Sequence, residues 1–268
     1  MKPKSLLIDI TKCIGCRECS RACATENKLP QVDANELSAE HYTVVKGIKD
    51  DTAYVRHLCM HCNTPTCVSV CPVGAFSKTE TGAVLYDENK CFGCRYCMQA
   101  CPFEIPKYEW GRLAPRVQKC RMCYERVAGG KQTACAEACP TGATMFGDRE
   151  DLVIEARKRI DENKGQYIDY IYGLQEAGGT SVLYLSSIPF AELGLPMNVP
   201  KEAIPDLSWR ILSQIPKYAV AAGVVLFGIH WITSRRAEVA QFEAEQGHNP
   251  TDHHMRARGE DHEINRHS

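Results

Sequence analysis

The sequence predicts an α+β chain in which two related cysteine-rich modules are followed by an irregular extension and one C-terminal apolar helix. Three observations lead to this prediction. The 268 residues include 16 cysteines, which fall into four sets of four. The sets recur along the chain in the order A-B-A-B. An uncharged segment of 16 residues, 218–233, follows well after the last set.

Composition limits the classes of protein that need to be considered. The length allows one or two domains with a sizeable core. A net charge of −1 argues against a nucleic-acid binder. So many cysteines in a chain this long indicate metal ligation rather than a small disulfide scaffold. No nucleophile–base pair, phosphate loop or dinucleotide fingerprint stands out, so we expect a non-catalytic subunit.

Self-comparison relates the four cysteine sets to one another. The sets are Cys13/Cys16/Cys19/Cys23, Cys59/Cys62/Cys67/Cys71, Cys91/Cys94/Cys97/Cys101 and Cys120/Cys123/Cys135/Cys139. The first and third share the pattern Asp-x-x-Lys-Cys-x-Gly-Cys-Arg-x-Cys-x-x-Ala-Cys, which begins at Asp9 and again at Asp87. The second and fourth share Cys-Pro-x-Gly-Ala. This repetition predicts a duplicated ferredoxin-like unit.

The spacing within the first and third sets indicates iron and sulfur. Cys-x-x-Cys-x-x-Cys crowds three thiols onto one turn, where disulfides would be strained. Three such thiols and a more distant fourth are typical ligands of a 4Fe-4S cluster. A zinc-held scaffold is the alternative, since the fourth set alone would suit zinc. Arg17, Arg95 and Arg121 lie beside ligands and would either raise the reduction potential or only aid solubility.

The residues alone leave open which cysteines share a cluster. In bacterial two-cluster ferredoxins the fourth cysteine of one run ligates the cluster of the other run. The repeat favours local partnering, of the first set with the second and of the third with the fourth.

The remaining elements follow in order. The double ferredoxin-like domain is predicted over 1–147, with an inserted hairpin within about 24–58, where two β-type runs flank a turn. A helix opening at Asp148 and ending by Gly165 begins the next region, 148–216. The rest of that region is expected to be irregular, apart from a strand over Val182 to Leu185.

The apolar segment predicts a transmembrane helix over 217–234. Trp231 and the flanking Lys217 and Arg235 favour a membrane anchor over the alternative, a buried soluble helix. His230 would be either a contact to a quinone or haem region or an ordinary interfacial histidine. The polar, His-rich tail, 235–268, is expected to be disordered.

Together, these features resemble a known family, the four-cluster iron–sulfur (beta) subunits of membrane-bound respiratory oxidoreductases. The formate dehydrogenase subunits and those of Hyb-type uptake hydrogenases are the most similar. The resemblance covers the four sets with their Cys-Pro-x-Gly-Ala tails, the stretch Gly178-Gly179-Thr180-x-Val182-Leu183, and the single late helix.

The resemblance implies four 4Fe-4S clusters with nested pairing. The implied ligand sets are Cys13, Cys16, Cys19 with Cys139; Cys120, Cys123, Cys135 with Cys23; Cys59, Cys62, Cys67 with Cys101; and Cys91, Cys94, Cys97 with Cys71. On this pairing the run from Cys91 to Pro102 would lie at the middle of a row of clusters. One departure is Ala24, which follows Cys23 where the other sets have proline.

The resemblance also implies a role and a location. The chain would relay electrons one at a time between a catalytic subunit and an integral membrane quinone-reactive subunit of cytochrome b or polytopic type. A molybdenum or tungsten formate dehydrogenase is the first choice of catalytic subunit, and a nickel–iron hydrogenase or another molybdopterin oxidoreductase is the alternative. A soluble polyferredoxin-like carrier is the alternative from another class.

The expected location is the inner membrane, with one span in the lipid bilayer. The cluster domain would be periplasmic, or on the cytoplasmic face in the alternative. Because no export signal is recognised near residue 1, export would depend on a partner that carries one.

Overall fold

The structure is a computed structural model that describes residues 2–48, 51–111 and 116–245. By its internal contacts the chain divides into two compact units, 1–208 and 209–268. The predicted boundary between 147 and 148 therefore does not separate two compact units. The physical reason lies in a three-stranded sheet, to which residues 148–208 supply one edge strand.

The sheet joins three distant parts of the chain. Strand β1 (Lys4–Asp9) lies between β8 (Thr144–Asp148), to which it is antiparallel, and β9 (Val182–Leu185), to which it is parallel. Leu6 of β1 lies opposite Phe146 on one side and Val182 on the other. The predicted strand over Val182 to Leu185 is confirmed, and all four of its residues are buried.

One face of this sheet packs on the predicted helix. Helix α6 (Arg149–Glu162) buries Leu152, Ala156 and Ile160 against β1 and β9. Asp148 is its N-cap residue as predicted, although its carboxylate pairs with Lys4 Nζ at 2.5 Å rather than with the helix. The other face packs on buried side chains that include several cysteines.

The cysteine-bearing region consists of short helices, hairpins and tight loops. Its helices are α1 (Glu18–Asn27), α2 (Thr66–Ser69), α3 (Tyr96–Gln99), α4 (Tyr124–Ala128) and α5 (Ala134–Glu137). Its hairpins are β2 (Thr43–Ile48) with β3 (Ala53–Leu58), β4 (Phe76–Lys78) with β5 (Val84–Tyr86), and β6 (Lys107–Tyr108) with β7 (Val117–Gln118). A 3₁₀ turn, Ile10–Lys12, leads from β1 to the first cysteine. The predicted hairpin within 24–58 is confirmed by the antiparallel pair β2 and β3.

Positions matched by the sequence repeat adopt the same backbone conformation. Gly15 and Gly93 have φ of 71° and 82°, and the following Arg17 and Arg95 have φ of 61° and 62°. Each arginine is the residue before a helix, α1 in one case and α3 in the other. The common conformation is what a duplicated unit requires.

Proline explains why the matched helices differ in length. Helices α2, α3 and α5 each end two residues before a Cys-Pro pair, because proline lacks an N–H and disfavours helical geometry in the residue before it. Ala24 follows Cys23 without this restriction. Helix α1 therefore continues past Cys23 to Asn27, and the chain leaves this cysteine as a helix.

The extension contains more regular structure than expected. Besides the predicted elements it has two 3₁₀ turns, Glu176–Gly178 and Phe190–Leu193. Helix α7 (Ile204–Leu212), with Pro205 in its first turn, was not predicted. Proline is well tolerated there because the first helical N–H groups have no partner within the helix.

The apolar segment lies within a longer helix. Helix α8 (Ile215–Glu245) has 31 residues, which span about 46 Å. It is long and apolar enough to cross a membrane, and none of its residues is buried within the chain.

The expected disorder from residue 235 onward is wrong for 235–245, which continue α8. This stretch has alanine, glutamate and arginine without glycine or proline, and Arg235 pairs with Glu238 one turn on. The remainder of the predicted tail lies outside the described residues.

Candidate functional site

The first cavity lined by thiols joins the two ends of the cysteine-rich region. Its cysteines are Cys13, Cys16, Cys19 and Cys139, around about 380 Å³ of empty space. Gly15 is required in this loop, since a Cβ there would lie 2.5 Å from the ring of Tyr54. Burial raises the pKa of Cys139. Hydrogen bonds to its sulfur have the opposite effect, the strongest from the Thr144 N–H at 3.4 Å, and together they lower the pKa below its ordinary value. Anionic sulfur is favoured at this position.

A second cavity is lined by the third run and by one cysteine from the second set. Its cysteines are Cys71, Cys91, Cys94 and Cys97, around about 310 Å³ of empty space. The backbone N–H of Gly93 donates to Cys91 Sγ at 3.4 Å, and that of Ala75 donates to Cys71 Sγ at 3.2 Å. Such donors stabilise a thiolate in the way that iron–sulfur proteins require.

A third cavity combines the rest of the second set with the end of the third. Its cysteines are Cys59, Cys62, Cys67 and Cys101, around about 360 Å³ of empty space. Burial raises the pKa of Cys67 to about 12, and the charges of Cys59 and Cys101 act in the same direction. The buried Lys119 also lines this cavity.

The remaining four cysteines also lie together. They are Cys23, Cys120, Cys123 and Cys135. Burial raises the pKa of Cys23 well above its ordinary value, and the neighbouring charges of Cys120, Cys135 and Cys123 raise it further. Burial likewise raises the pKa of Cys120 to about 12. If all four lost their protons, the buried thiolates would repel one another. A positively charged metal centre between them would remove this repulsion.

The four groups of thiols follow one another in a row. Burial raises the pKa of Cys19 in the first cavity, and the nearby charge of Cys135 raises it further. Burial likewise raises the pKa of Cys120, and the charge of Cys59 in the third cavity adds to it. Cys67 is related to Cys97 in the same way. The expectation that the run from Cys91 to Pro102 lies at the middle is wrong for its first three cysteines. They lie at the end of this row, next to the third cavity, since α3 with Cys97 packs on α2 with Cys67.

The geometry distinguishes a cluster from a single ion. All 16 cysteines are free thiols without a disulfide. Within residues 2–48, 51–111 and 116–245, no three His, Cys, Asp or Glu side chains converge closely enough to hold one metal ion. Zinc would draw four sulfurs to about 2.3 Å from a common point. The thiols instead line the wall of a cavity without meeting at one point, an arrangement that suits a multi-iron cluster.

Comparison with known proteins agrees with this donor set. The family described as "4Fe-4S dicluster domain" matches residues 51–149. A protein of Nitratidesulfovibrio vulgaris is 39% identical over 251 residues, which cover 88% of this chain and 68% of the relative. The hydrogenase-2 operon protein HybA of Escherichia coli O157:H7 is 34% identical, covering 82% and 79%. The formate dehydrogenase-O iron–sulfur subunit of Escherichia coli K12 is 36% identical, covering 72% and 70%.

The chain belongs to the family of iron–sulfur subunits of respiratory oxidoreductases. It is an electron-transfer subunit that binds 4Fe-4S clusters. The apolar helix α8 is consistent with membrane anchoring.

Of the three arginines singled out in the sequence of this iron–sulfur subunit, Arg17 lines the first cavity and Arg95 the second, and all three also have partners outside the cavities. Arg17 pairs with Asp33 at 3.5 Å, and Arg121 pairs with Glu125 at 2.8 Å. The guanidinium of Arg95 lies 5.1 Å from the ring centroid of Trp110.

Sequence reasoning overlooked a fourth arginine, Arg56, which lines the first cavity and is only 2% exposed. The sequence feature that could have identified it is an arginine within a predicted strand, three residues before Cys59.

Proposed function

We propose that the 16 cysteines hold four 4Fe-4S clusters in the nested sets. The sets are Cys13, Cys16, Cys19 and Cys139; Cys120, Cys123, Cys135 and Cys23; Cys59, Cys62, Cys67 and Cys101; and Cys91, Cys94, Cys97 and Cys71. Three of these sets each line one cavity. Local partnering would instead require Cys139 to lie beside Cys91, Cys94 and Cys97, whereas it lines the cavity of Cys13, Cys16 and Cys19. The repeated loop conformation supports a duplicated ferredoxin-like origin for the sets.

The observation that carries this proposal is that three cavities are each lined by four cysteines drawn from two different sets. Each set has a cysteine near a cysteine of the next, through Cys19 and Cys135, Cys120 and Cys59, and Cys67 and Cys97. When bound, a 4Fe-4S cluster supplies reversible one-electron storage. The protein's part is to bind through thiolates, donate backbone N–H groups to sulfur and exclude water by burial.

We further propose that the subunit connects a catalytic subunit to a quinone-reactive membrane subunit. The relatives support two kinds of catalytic partner, a formate dehydrogenase, our first choice, and a nickel–iron hydrogenase. Helix α8 would anchor the chain in the inner membrane by one span, with the cluster domain on the periplasmic side. The long apolar helix, none of it buried, favours this anchor over a soluble carrier.

Iron and sulfide analysis tests the number of clusters. Four cubes predict about 16 iron and 16 sulfide per chain, because each cube holds four of each. A colourless, sulfide-free protein with zinc would support the scaffold alternative and end the proposal.

Paired cysteine variants test the ligand sets. Under nested pairing, Cys13→Ser and Cys139→Ser alter the same component of the electron paramagnetic resonance (EPR) spectrum, and Cys91→Ser alters a different one. If Cys139→Ser instead alters the component that Cys91→Ser alters, the local pairing is correct.

Isolation of the complex tests the partners and the anchor. A large subunit that co-purifies with molybdenum or tungsten would identify a formate dehydrogenase type, and nickel would identify a hydrogenase. Recovery only with detergent is expected for the anchored chain, whereas a soluble carrier would remain in the supernatant. Cleavage of the cluster domain by protease added to spheroplasts, but not to inverted vesicles, is expected for the periplasmic orientation.

A further inference from the structure

A fully enclosed arginine lies between two of the thiol sets. Arg56 extends from β3 and is 2% exposed. Its Nε donates to Thr43 Oγ1 at 2.8 Å, and a terminal nitrogen donates to Thr144 Oγ1 at 3.3 Å. Tyr184 Oη holds the backbone at this point by donating to the Arg56 carbonyl at 2.7 Å. The guanidinium is therefore held in one place by neutral groups.

The charged neighbours of this guanidinium are cysteines. It lines the cavity of Cys13, Cys16, Cys19 and Cys139. It is also near enough to Cys135, which belongs to the next set, for the charge of that thiolate to act on it. Burial lowers the pKa of Arg56, but negative charge on Cys135, Cys19 and Cys23 outweighs burial, so the pKa lies above its ordinary value. One cation thus lines the cavity of one set and lies within electrostatic range of the next.

A buried cation needs a counter-charge. Moving an unpaired guanidinium from water into a protein interior is strongly unfavourable, even after the protein relaxes around it. Arginine cannot avoid this cost by losing its proton. In the part of the chain that the structure describes, Arg56 forms no ion pair with a carboxylate. The anions available to it are the thiolates that bind iron.

We propose that Arg56 is a shared counter-ion of the two clusters held by the Cys13/Cys16/Cys19/Cys139 and Cys23/Cys120/Cys123/Cys135 sets, and that it raises the reduction potentials of both. This inference rests on the four-cluster assignment above. Reduction adds negative charge to a cluster, and a fixed positive charge in a water-poor interior favours that addition. Arg56 is not itself a ligand and acts on the clusters through its positive charge.

The test compares Arg56→Gln and Arg56→Lys in the full membrane complex, with Arg157→Gln as the matched control. Arg157 lies on α6, is exposed and pairs with Asp169, so its variant removes the same charge from the surface. The readout is the reduction potential of each cluster in a titration followed by EPR. Iron and sulfide are measured on every sample.

We expect Arg56→Gln to lower the potentials of two clusters and leave the other two unchanged. For each of the two clusters, the equilibrium constant for one-electron reduction should fall at least tenfold, which lowers the reduction potential by about 59 mV. Arg56→Lys keeps the charge and should recover most of the loss, and Arg157→Gln should shift none of the four. The responding pair should be the clusters whose EPR components are altered by Cys13→Ser and by Cys120→Ser.

Several results would overturn the assignment. They are equal potentials in Arg56→Gln and the parent complex, a uniform shift of all four clusters, or a lysine variant that behaves as the glutamine variant does. If Arg56→Gln loses the two clusters altogether, retention of both in Arg56→Lys supports a charge requirement, and loss in both variants refutes it. Fewer than four clusters in the unaltered complex would instead refute the proposed function.

Discussion

The first and third cysteine runs share one pattern and one loop conformation, yet their surroundings differ. In both, a glycine and an arginine take positive φ and a helix follows. The first run continues into the ten residues of α1 and lies beside the buried charge of Arg56. The third run ends after the four residues of α3, and its Cys94 is exposed.

The comparison separates what a ligand motif determines from what its neighbours determine. The motif sets the loop that presents three thiols, because glycine and the αL arginine are local requirements. The neighbours set burial and charge, which are levers on reduction potential. Two copies of one motif can therefore differ in potential without differing in ligands.

Proline placement gives the largest expected effect. Ala24→Pro should destabilise the protein by ~3 kcal/mol or more, because proline in the interior of α1 removes a hydrogen bond and clashes with the preceding turn. The reverse change in the third run, Pro102→Ala, should cost no more than ~1 kcal/mol. The midpoint of thermal unfolding, followed by cluster absorbance, measures both. A similar loss of stability in both variants would show that proline does not cause the difference between the backbone after Cys23 and that after Cys101.

The loop glycines give the next largest effect. Gly15→Ala should destabilise by about 2 kcal/mol or more, since positive φ and a contact of 2.5 Å with the Tyr54 ring both oppose a Cβ. Gly93→Ala should cost only about 1 kcal/mol, because its Cβ would meet the hydroxyl end of Tyr108. Thermal unfolding of the two variants gives the order. A more destabilised Gly93→Ala would contradict the packing argument.

Exposure should determine the order in which iron is lost. With ferricyanide and a chelator, the cluster held by the set that includes the exposed Cys94 should be released before the one held by the buried Cys23, Cys120 and Cys135. EPR spectra taken as iron is released should lose first the component that Cys94→Ser alters. Simultaneous loss of all components would mean that exposure of this thiol does not govern access.

Surface arginines give the smallest effect. Arg17→Gln removes an exposed ion pair and should cost at most ~1 kcal/mol. Arg95→Gln removes a cation–π contact with Trp110 and should also cost ~1 kcal/mol or less. Their cluster potentials should shift less than those of Arg56→Gln. A larger shift in either would favour the sequence-based suggestion that these arginines tune the clusters.

Patterns with a local cause were predicted well. The strand Val182–Leu185, the helix that opens after Asp148 and the hairpin β2–β3 each follow from apolar periodicity and turn residues in a short window. Helix α7 was missed because the rest of 148–216 was expected to be irregular, whereas its proline stands in the first turn, where a helix tolerates it. The helical start of the tail was missed because polarity was taken for disorder, although its residues favour helix.

Local sequence was enough to predict the candidate ligand cysteines and the loops that carry them, since spacing, glycine and proline act within a few residues. Tertiary structure alone decided which thiols lie together, because β1 pairs with both β8 and β9 and folds distant segments onto one sheet. It also decided the order of the sets and the burial of Arg56. Burial and charge pairing arise between segments far apart in the chain, and no local pattern records them.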